Sequence, residues 1–507
     1  MRDRSVAALL LVLILLLVFP GVVSAETLEQ AAQDSTFIHV LLSWLMPLGV
    51  TLVAVGLSAP SRARRIVTSL PLALAVALLA YTLCGYAFQF GGVGLIVDDL
   101  GVAELIAEWS PLDRHLGPGW GLVGLRGFFF SPDNSTTVER ILFISQLAFL
   151  TTAVLIPLIT LYERVHGLVR FSLALLAACF CYPLMGNWVY GGGWLSQLGE
   201  TLDWGRGFID HGLASAHLVG GGLALAGLVA FRHHPLEMRD EDRPQLPPVH
   251  LPLVLLIGAV LALVGWMAAV LSFPLVAASA SPWILFMNAL WGVAGSVFAS
   301  LFYGWLVRGE ADPGLTARGM LAGQIAVSAG ILVFSPWQAT LVGFVGGFFL
   351  APVMYLVEHV WNLEDPGAAV SVHGFCALFG ILAAGLFAAP DVGRAGQLYA
   401  QVVGVGSLLC LSFLLPGAIL VFIVRLQTLP EELQERARER ALTLERERAT
   451  RERLRQQGLS LTLWQRIRMG YLHIVAAPAK RLRKRSRLTA RERDARRVSG
   501  TGAVQER

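Results

Sequence analysis

Eleven apolar runs, each long enough to cross a lipid bilayer, occupy most of the chain. A transmembrane helix needs about 20 predominantly apolar residues. Over all 507 residues, 55% are hydrophobic and only 15% are charged, which excludes an ordinary soluble domain. The sequence therefore predicts an all-α membrane protein with eleven transmembrane helices. They are expected near 36–58, 66–91, 138–161, 168–190, 207–231, 250–273, 281–307, 315–335, 338–362, 370–388 and 399–426.

Basic residues concentrate in every second connection between the predicted spans. The intervening connections are poorer in Lys and Arg, and the long one at 92–137 contains several acidic residues, including Glu104 and Glu108. The positive-inside rule then puts the N-terminus outside the cell and the C-terminus in the cytoplasm. The arginines that decide this are Arg62, Arg64, Arg65, Arg164, Arg170, Arg232, Arg239, Arg243, Arg308 and Arg318.

An aspartate and a histidine eight positions apart occur twice, as Asp203–His211 and Asp365–His373, and the second pair follows the first by 162 positions. Each aspartate lies where a polar connection meets an apolar run. Spans one to five and six to ten both hold an odd number of spans, so the halves would enter the membrane from opposite sides. This predicts an inverted 5+5 repeat plus one extra helix, with a site at the repeat interface.

A histidine at bilayer depth is costly and indicates a functional site. Neutral imidazole carries one donor and one acceptor, so two facing rings share a hydrogen and satisfy each other. We therefore expect His211 and His373 to face each other in a pore, although a lone histidine in such a run more often only packs. Asp203 and Asp365 fit helix N-caps, or else add negative potential near a cation path.

The two ends of the chain differ from the apolar body. Residues 1–25 have a basic start, an apolar stretch and small residues before Glu26, which predicts a cleaved signal peptide, with a retained first span as the alternative. The membrane domain is expected at 26–429. Residues 430–507 predict a charged cytoplasmic tail, helical at first and basic toward its end. The basic part either lies on the membrane surface or is disordered. The five cysteines show no metal-ligand spacing, and we expect no metal or cofactor.

Residues 36–435 resemble the ammonium transporter (Amt/Mep/Rh) family. The resemblance is carried by four stretches: SQLAFLTTAVLIPLITLYERVHGLVRF, YPLMGNWVYGGGWLSQLGETLDWGRGFIDHG, FMNALWGVAGSVFASLFYGWLVRG and LEDPGAAVSVHGFCALFGILAAGLF. It implies an ammonium-transporter-like fold with eleven spans in the cell inner membrane, a homotrimer with one pore per subunit, and a transporter rather than an enzyme. It also implies a PII-type regulator at the cytoplasmic face, and no nucleic-acid partner.

The resemblance assigns roles to five residues. It makes His211 and His373 the twin pore histidines and Phe149 the first gate phenylalanine. It places Tyr190 at the aromatic of the outer recruitment site for ammonium, with Asp203 as the supporting aspartate.

The chain also departs from the family pattern. Tyr190 stands where the family usually has tryptophan. Ala269 replaces the second gate phenylalanine, and Phe273 replaces the serine of the recruitment site. Phe273 therefore either replaces the lost plug one turn higher or blocks the vestibule. Arg206 and Asp210 are unusual too, and their i,i+4 spacing predicts an ion pair.

The expected function is transport of ammonium or ammonia. An aromatic cage would attract the cation, the cation would give up its proton, and ammonia would pass the histidines. Potassium has no proton to give up and would be rejected. The alternative is an ammonium sensor that transports poorly and signals through the tail. A gas or proton path without ammonium specificity is a third interpretation.

Overall fold

The computed structural model describes the chain from residue 28 onward, with gaps. The predicted signal peptide at 1–25 and the basic part of the tail at 461–487 lie outside the described residues, as does most of the predicted tail. The chain divides into two compact units, Met1–Ala418 and Ile419–Arg507. The described residues are 28–58, 60–97, 101–232, 251–278, 280–387 and 394–425, with 439, 442, 443, 445, 446, 449, 452 and 453, which are helical and exposed.

Almost all regular structure in the described residues is helical. The exception is a short antiparallel ribbon in which β1 (Glu108–Trp109) pairs with β2 (Val123–Gly124). The α-helices are α1 (Leu28–Ser43), α2 (Leu45–Gly56), α3 (Pro60–Ile66), α4 (Ser69–Ala80), α5 (Tyr86–Phe90), α6 (Asp113–Leu116), α7 (Thr137–Thr160), α8 (Gly167–Leu176), α9 (Tyr182–Val189), α10 (Trp194–Thr201), α11 (Ala214–Ala230), α12 (Leu251–Ser272), α13 (Pro274–Ala277), α14 (Pro282–Arg308), α15 (Pro313–Ser328), α16 (Pro336–Tyr355), α17 (Cys376–Leu386) and α18 (Arg394–Leu409).

The predicted all-α membrane fold is confirmed. Each of the eleven predicted spans contains a helix. Within the described residues, nine helices are long and apolar enough to cross a membrane, and the shorter apolar helix α11 adds to them. α15, with 16 residues, occupies the eighth predicted span. The fifth span begins later than predicted, at Ala214 rather than near 207, because the chain from 202 to 213 is irregular.

Within the part of the chain that the structure describes, five segments are π-helical, with wider turns than an α-helix. Such turns often accompany functional sites, because each inserts an extra residue and re-aims the side chains around it. One of them contains His373. The segments are Tyr81–Gly85, Ala177–Cys181, Leu356–Val360, Ala369–Phe375 and Cys410–Leu414.

Helix α11 lies among the elements that carry the candidate site. It packs against α7, α17 and the π-helical segment Ala369–Phe375. Nearly all of its side chains are buried, and Gly220–Gly222 provide the small surface that lets neighbouring backbones approach. The sequence thus builds a tightly packed contact between the two halves at this helix.

Candidate functional site

The N-terminus of α11 is capped by a buried aspartate. The Oδ1 and Oδ2 atoms of Asp210 accept the backbone N–H groups of Ala214 and Ser215, each at 2.8 Å. Leu213, just before the helix, adopts a left-handed conformation with φ of 58°. Asp210 therefore satisfies two helix N–H groups that would otherwise lack partners in an apolar interior.

The π-helical segment that contains His373 starts in the same way. Asp365 accepts the backbone N–H groups of Ala369 at 2.9 Å and Val370 at 2.8 Å. The residue before this segment, Ala368, is left-handed with φ of 52°. Asp365 therefore caps this segment, as predicted. The residue that does the same in the first half is Asp210.

Two imidazoles meet just beyond these caps. The Nδ1 atoms of His217 and His373 lie 3.1 Å apart, and the ring planes are inclined by only 18°. The side chains are 2% and 4% exposed. At this distance one Nδ1 carries hydrogen and donates to the other, so two neutral rings of opposite tautomer satisfy each other. The Nε2 atom of His217 is buried and has no partner.

The spacing from the capping aspartate to the histidine differs by one residue between the two halves. Asp210 lies seven positions before His217, whereas Asp365 lies eight positions before His373. The first stretch enters an α-helix at Ala214, and the second enters a π-helical segment at Ala369, which absorbs one extra residue. The π-helical turn therefore brings His373 opposite His217 although the spacing differs.

The predicted pairing of His211 with His373 is wrong. The Nδ1 atom of His211 lies 3.3 Å from the backbone oxygen of Ala329, and its backbone N–H donates to the same oxygen at 3.0 Å. His211 precedes Ala214, the first residue of α11, and is held in the irregular connection. Because α11 begins only at Ala214, His211 is not on the helix that packs against the His373 segment.

Asp203 does not cap a membrane helix either. It is exposed and left-handed, with φ of 55°, in the irregular connection. The predicted ion pair of Arg206 with Asp210 is also absent from the described ion pairs, because the Asp210 carboxylate binds helix N–H groups and Arg206 is exposed. The sequence does contain a second candidate pair in the first half, because Asp210 is followed seven positions later by His217.

An aromatic pair lies close to the Asp210 cap. The Tyr190 hydroxyl donates to the backbone oxygen of Asp210 at 2.7 Å. The Phe273 ring meets the Tyr190 ring edge-on, with centroids 5.3 Å apart, and lies 6.3 Å from the Phe90 ring. Phe273 and Phe149 are fully buried. The structure therefore joins Tyr190 and Phe273, two of the predicted recruitment residues, and keeps Phe149 inside α7.

A small cavity of about 20 Å³ opens beside His373. That is room for about one or two water molecules. Apart from the imidazole and the Thr160 hydroxyl, its lining is apolar, so it would hold a small neutral solute more readily than an ion. The lining residues are Val50, Val53, Ala54, Ile156, Ile159, Thr160, Leu321, Gly367, Ala369 and His373.

The residues between 35 and 438 match the model of the Ammonium Transporter Family. The chain belongs to the ammonium transporter family. Its members are transporters, and the nine long apolar helices of the described residues make this chain a multi-pass membrane protein.

The relatives of this chain include proteins that are named as ammonium transporters. It is 26% identical over 397 residues to Ammonium transporter Amt2 of Archaeoglobus fulgidus, covering 76% of this chain and 79% of the relative. It is 25% identical over 364 residues to the Ammonium transporter of Bacillus subtilis, covering 71% and 81%.

Solved structures show the same fold. A structure titled "Sensor Amt Protein" superposes with a TM-score of 0.62 at 21% identity, covering 77% of this chain and 92% of that one. Candida albicans Mep2 superposes with a TM-score of 0.60 at 17% identity, covering 80% and 86%. At these identities the likeness establishes the fold alone.

A glycine contact between the halves fixes the position of His373. A Cβ atom at Gly221 would lie 2.5 Å from the backbone nitrogen of Gly374 and 3.1 Å from the carbonyl carbon of His373. Gly221→Ala is therefore expected to push the π-helical segment away and to destabilise the protein by about 1–3 kcal/mol. Thermal unfolding in detergent and methylammonium uptake into liposomes would both report the change.

Gly406→Ala is the matched control. Gly406 lies in α18, and a Cβ atom there would meet nothing within 4 Å. This variant should keep wild-type stability and uptake. Equal behaviour of the two variants would show that the close approach at Gly221 does not position His373.

Proposed function

We propose that this chain transports ammonium across the cytoplasmic membrane, passing ammonia along a path lined by His217 and His373. The carrying observation is the buried imidazole pair, with Nδ1 atoms 3.1 Å apart and one Nε2 atom left without a partner. Buried polar groups are almost always hydrogen-bonded. A small solute with both a lone pair and N–H groups, such as ammonia, would supply the missing partner.

Desolvation decides which form passes. An isolated cation in an apolar passage costs many kcal/mol, whereas a neutral amine with a hydrogen-bond partner costs far less. The two imidazoles, one donating to the other, can also take up a proton at one ring and release it from the other. Ammonium can therefore separate into ammonia and a proton at this place, and potassium has no equivalent route.

The aromatic pair is the proposed entrance. The Tyr190 ring is held by its bond to the Asp210 backbone, and Phe273 lies edge-on against it. A cation above such rings gains on the order of 0.5–2 kcal/mol per contact. Asp210 replaces Asp203 as the proposed supporting aspartate, and Phe149 remains the proposed gate residue.

A second candidate function is ammonium sensing with little transport. It is favoured by the burial of Phe273, which is fully enclosed and packs against both Tyr190 and Phe90. A closed entrance of this kind would let the chain bind ammonium without passing it on. The predicted charged tail would then carry the signal.

The remaining proposals follow from family membership and the charge pattern. They are a homotrimer with one path per subunit, an outside N-terminus and a cytoplasmic C-terminus. They also include a cleaved signal peptide and a PII-type regulator at the cytoplasmic face.

Ammonium-triggered current in liposomes that contain the purified full chain tests the proposal. Transport predicts a saturable current in the wild type. Binding of ammonium without current would favour the sensor.

Phe273→Ser separates a gate from a recruitment element. Opening the Tyr190–Phe273 ring contact costs roughly 0.5–1.5 kcal/mol. If this cost is part of the barrier to entry, removing the Phe273 ring should raise uptake roughly 2- to 10-fold. Methylammonium uptake at saturating concentration measures this. Phe273→Tyr is the control, because it keeps the ring contact with Tyr190 and should stay near wild type. A fall in uptake for Phe273→Ser would instead make the ring part of cation recruitment.

A further inference from the structure

A second carboxyl group lies in a pocket near Tyr190. The Glu108 side chain extends from β1 against two glycines, and any side chain at Gly121 would overlap with its carboxyl group. Gly92 contacts the stem of the same side chain. The described ion pairs give Glu108 no basic partner, and its described hydrogen bond is a long one of 3.4 Å from Asn187 Nδ2. A partly buried carboxylate with so little compensation calls for a cation.

Asn187 supplies a second oxygen. Its side chain is fully buried, its Nδ2 atom faces the Glu108 carboxyl group, and its Oδ1 atom, near Gly193, has no partner. Its Nδ2 atom also donates to the backbone oxygen of Gln89 at 3.3 Å. Asn187 lies at the end of α9, three residues before Tyr190. The pocket and the proposed entrance therefore share one stretch of backbone.

Three indole rings belong to the chain segments that carry Gly121 and Asn187. The Trp120 and Trp194 rings are stacked, with centroids 6.3 Å apart, and the Trp188 ring meets Trp194 at 5.9 Å. Trp120 precedes Gly121 in sequence, and the backbone N–H of Trp194 donates to the Gly121 oxygen at 3.0 Å. Trp188 follows Asn187 directly. Indole rings are the strongest cation–π partners among the side chains.

We infer that Glu108, Asn187 and the three tryptophans form a second site for a small ammonium-type cation beside the Tyr190 entrance. The carboxylate supplies the counter-charge, the two oxygens accept N–H groups, and the rings favour a weakly hydrated cation over sodium. The choice of an ammonium cation rests on the proposed function; the need for a cation rests on the pocket. The site concentrates substrate at the entrance to the path.

The protonation of Glu108 adds a pH dependence. Burial raises the pKa of this carboxyl group from 4.5 to about 7, and the nearby charge of Asp113 acts in the same direction. Only the ionised form would bind a cation. Occupancy at a fixed ammonium concentration should therefore rise between pH 6 and pH 8, and bound cation should lower this pKa.

Infrared difference spectroscopy tests the site without requiring transport. The reconstituted full chain is perfused at pH 8 with ammonium chloride and then with lithium chloride. The wild type should show a carboxylate band change that disappears in Glu108→Gln. Glu104→Gln is the matched control, because Glu104 lies in the same connection with a side chain that is 86% exposed. In uptake assays, Glu108→Gln should raise the half-saturating methylammonium concentration roughly 5- to 10-fold at unchanged maximal rate.

Three results would overturn the inference. They are a band that persists in Glu108→Gln, an equal band with sodium chloride, and an unchanged half-saturating concentration. If Glu108→Gln does not assemble, Trp120→Leu keeps the carboxylate and removes one ring, and it should weaken the ammonium response in the same assay. A wild type that shows the band but transports nothing would leave this site standing and contradict the transport proposal.

Discussion

His217→Ala is expected to abolish most saturable methylammonium uptake, whereas His211→Ala should leave it within about twofold of wild type. In His217→Ala, His373 loses the ring 3.1 Å away and remains buried without that partner. Leaving such a group unsatisfied costs about 1–3 kcal/mol, which corresponds to roughly 5- to 150-fold in rate. Uptake of labelled methylammonium into liposomes measures both variants.

The comparison of the two histidines is the decisive part of this experiment. His211 is bonded to the Ala329 backbone oxygen and is not in contact with His373. His373→Ala should match His217→Ala, because either change breaks the same pair. Loss of uptake in His211→Ala with normal uptake in His217→Ala would refute the path described above.

Asp210→Ala is expected to destabilise the protein by about 2–4 kcal/mol, since it exposes two helix N–H groups to an apolar interior without an acceptor. The start of α11 would fray, and His217 lies within its first turn. Both the midpoint of thermal unfolding in detergent and the uptake rate should fall. Asp210→Asn should retain part of both, because its amide oxygen still accepts one N–H group.

Asp203→Ala serves as the control for this change. Asp203 is exposed and has no role in capping α11, so its removal should alter stability by less than about 0.5 kcal/mol. If the two aspartate variants were equally damaging, the capping role of Asp210 would have to be given up.

The sequence predicted the fold well because hydropathy is a strong signal. An apolar run of sufficient length has few alternatives to a transmembrane helix. It also singled out Asp365, His373, Tyr190 and Phe273 as candidates, because their neighbours in sequence resemble the family motifs. Asp365, Tyr190 and Phe273 lie where the chain enters or leaves a helix, and each polar or aromatic side chain is conspicuous within or beside an apolar run.

In the first half, the sequence prediction selected Asp203 and His211, whereas the structure has Asp210 and His217 in the corresponding places. Asp203 and His211 reproduce the eight-residue spacing of Asp365 and His373, but this repeat does not correspond to the structural one. The structural counterpart, Asp210–His217, has a different spacing, because of the two stretches from aspartate to histidine only the second contains a π-helical turn. A π-helical turn depends on local packing rather than on residue type, and the irregular connection before α11 has no hydropathy signature.

That π-helical turn has a consequence for the symmetry of the two halves. One additional residue rotates everything beyond it by about 100° around a helix axis. The two halves therefore agree at their caps and imidazoles, but from Cys376 onward α17 presents a face that the corresponding part of α11 does not. A solute travelling in one direction meets a different succession of side chains from one travelling in the other. The two ends of a path between the halves thus differ through a single inserted residue, although a passive path remains equally permeable in both directions.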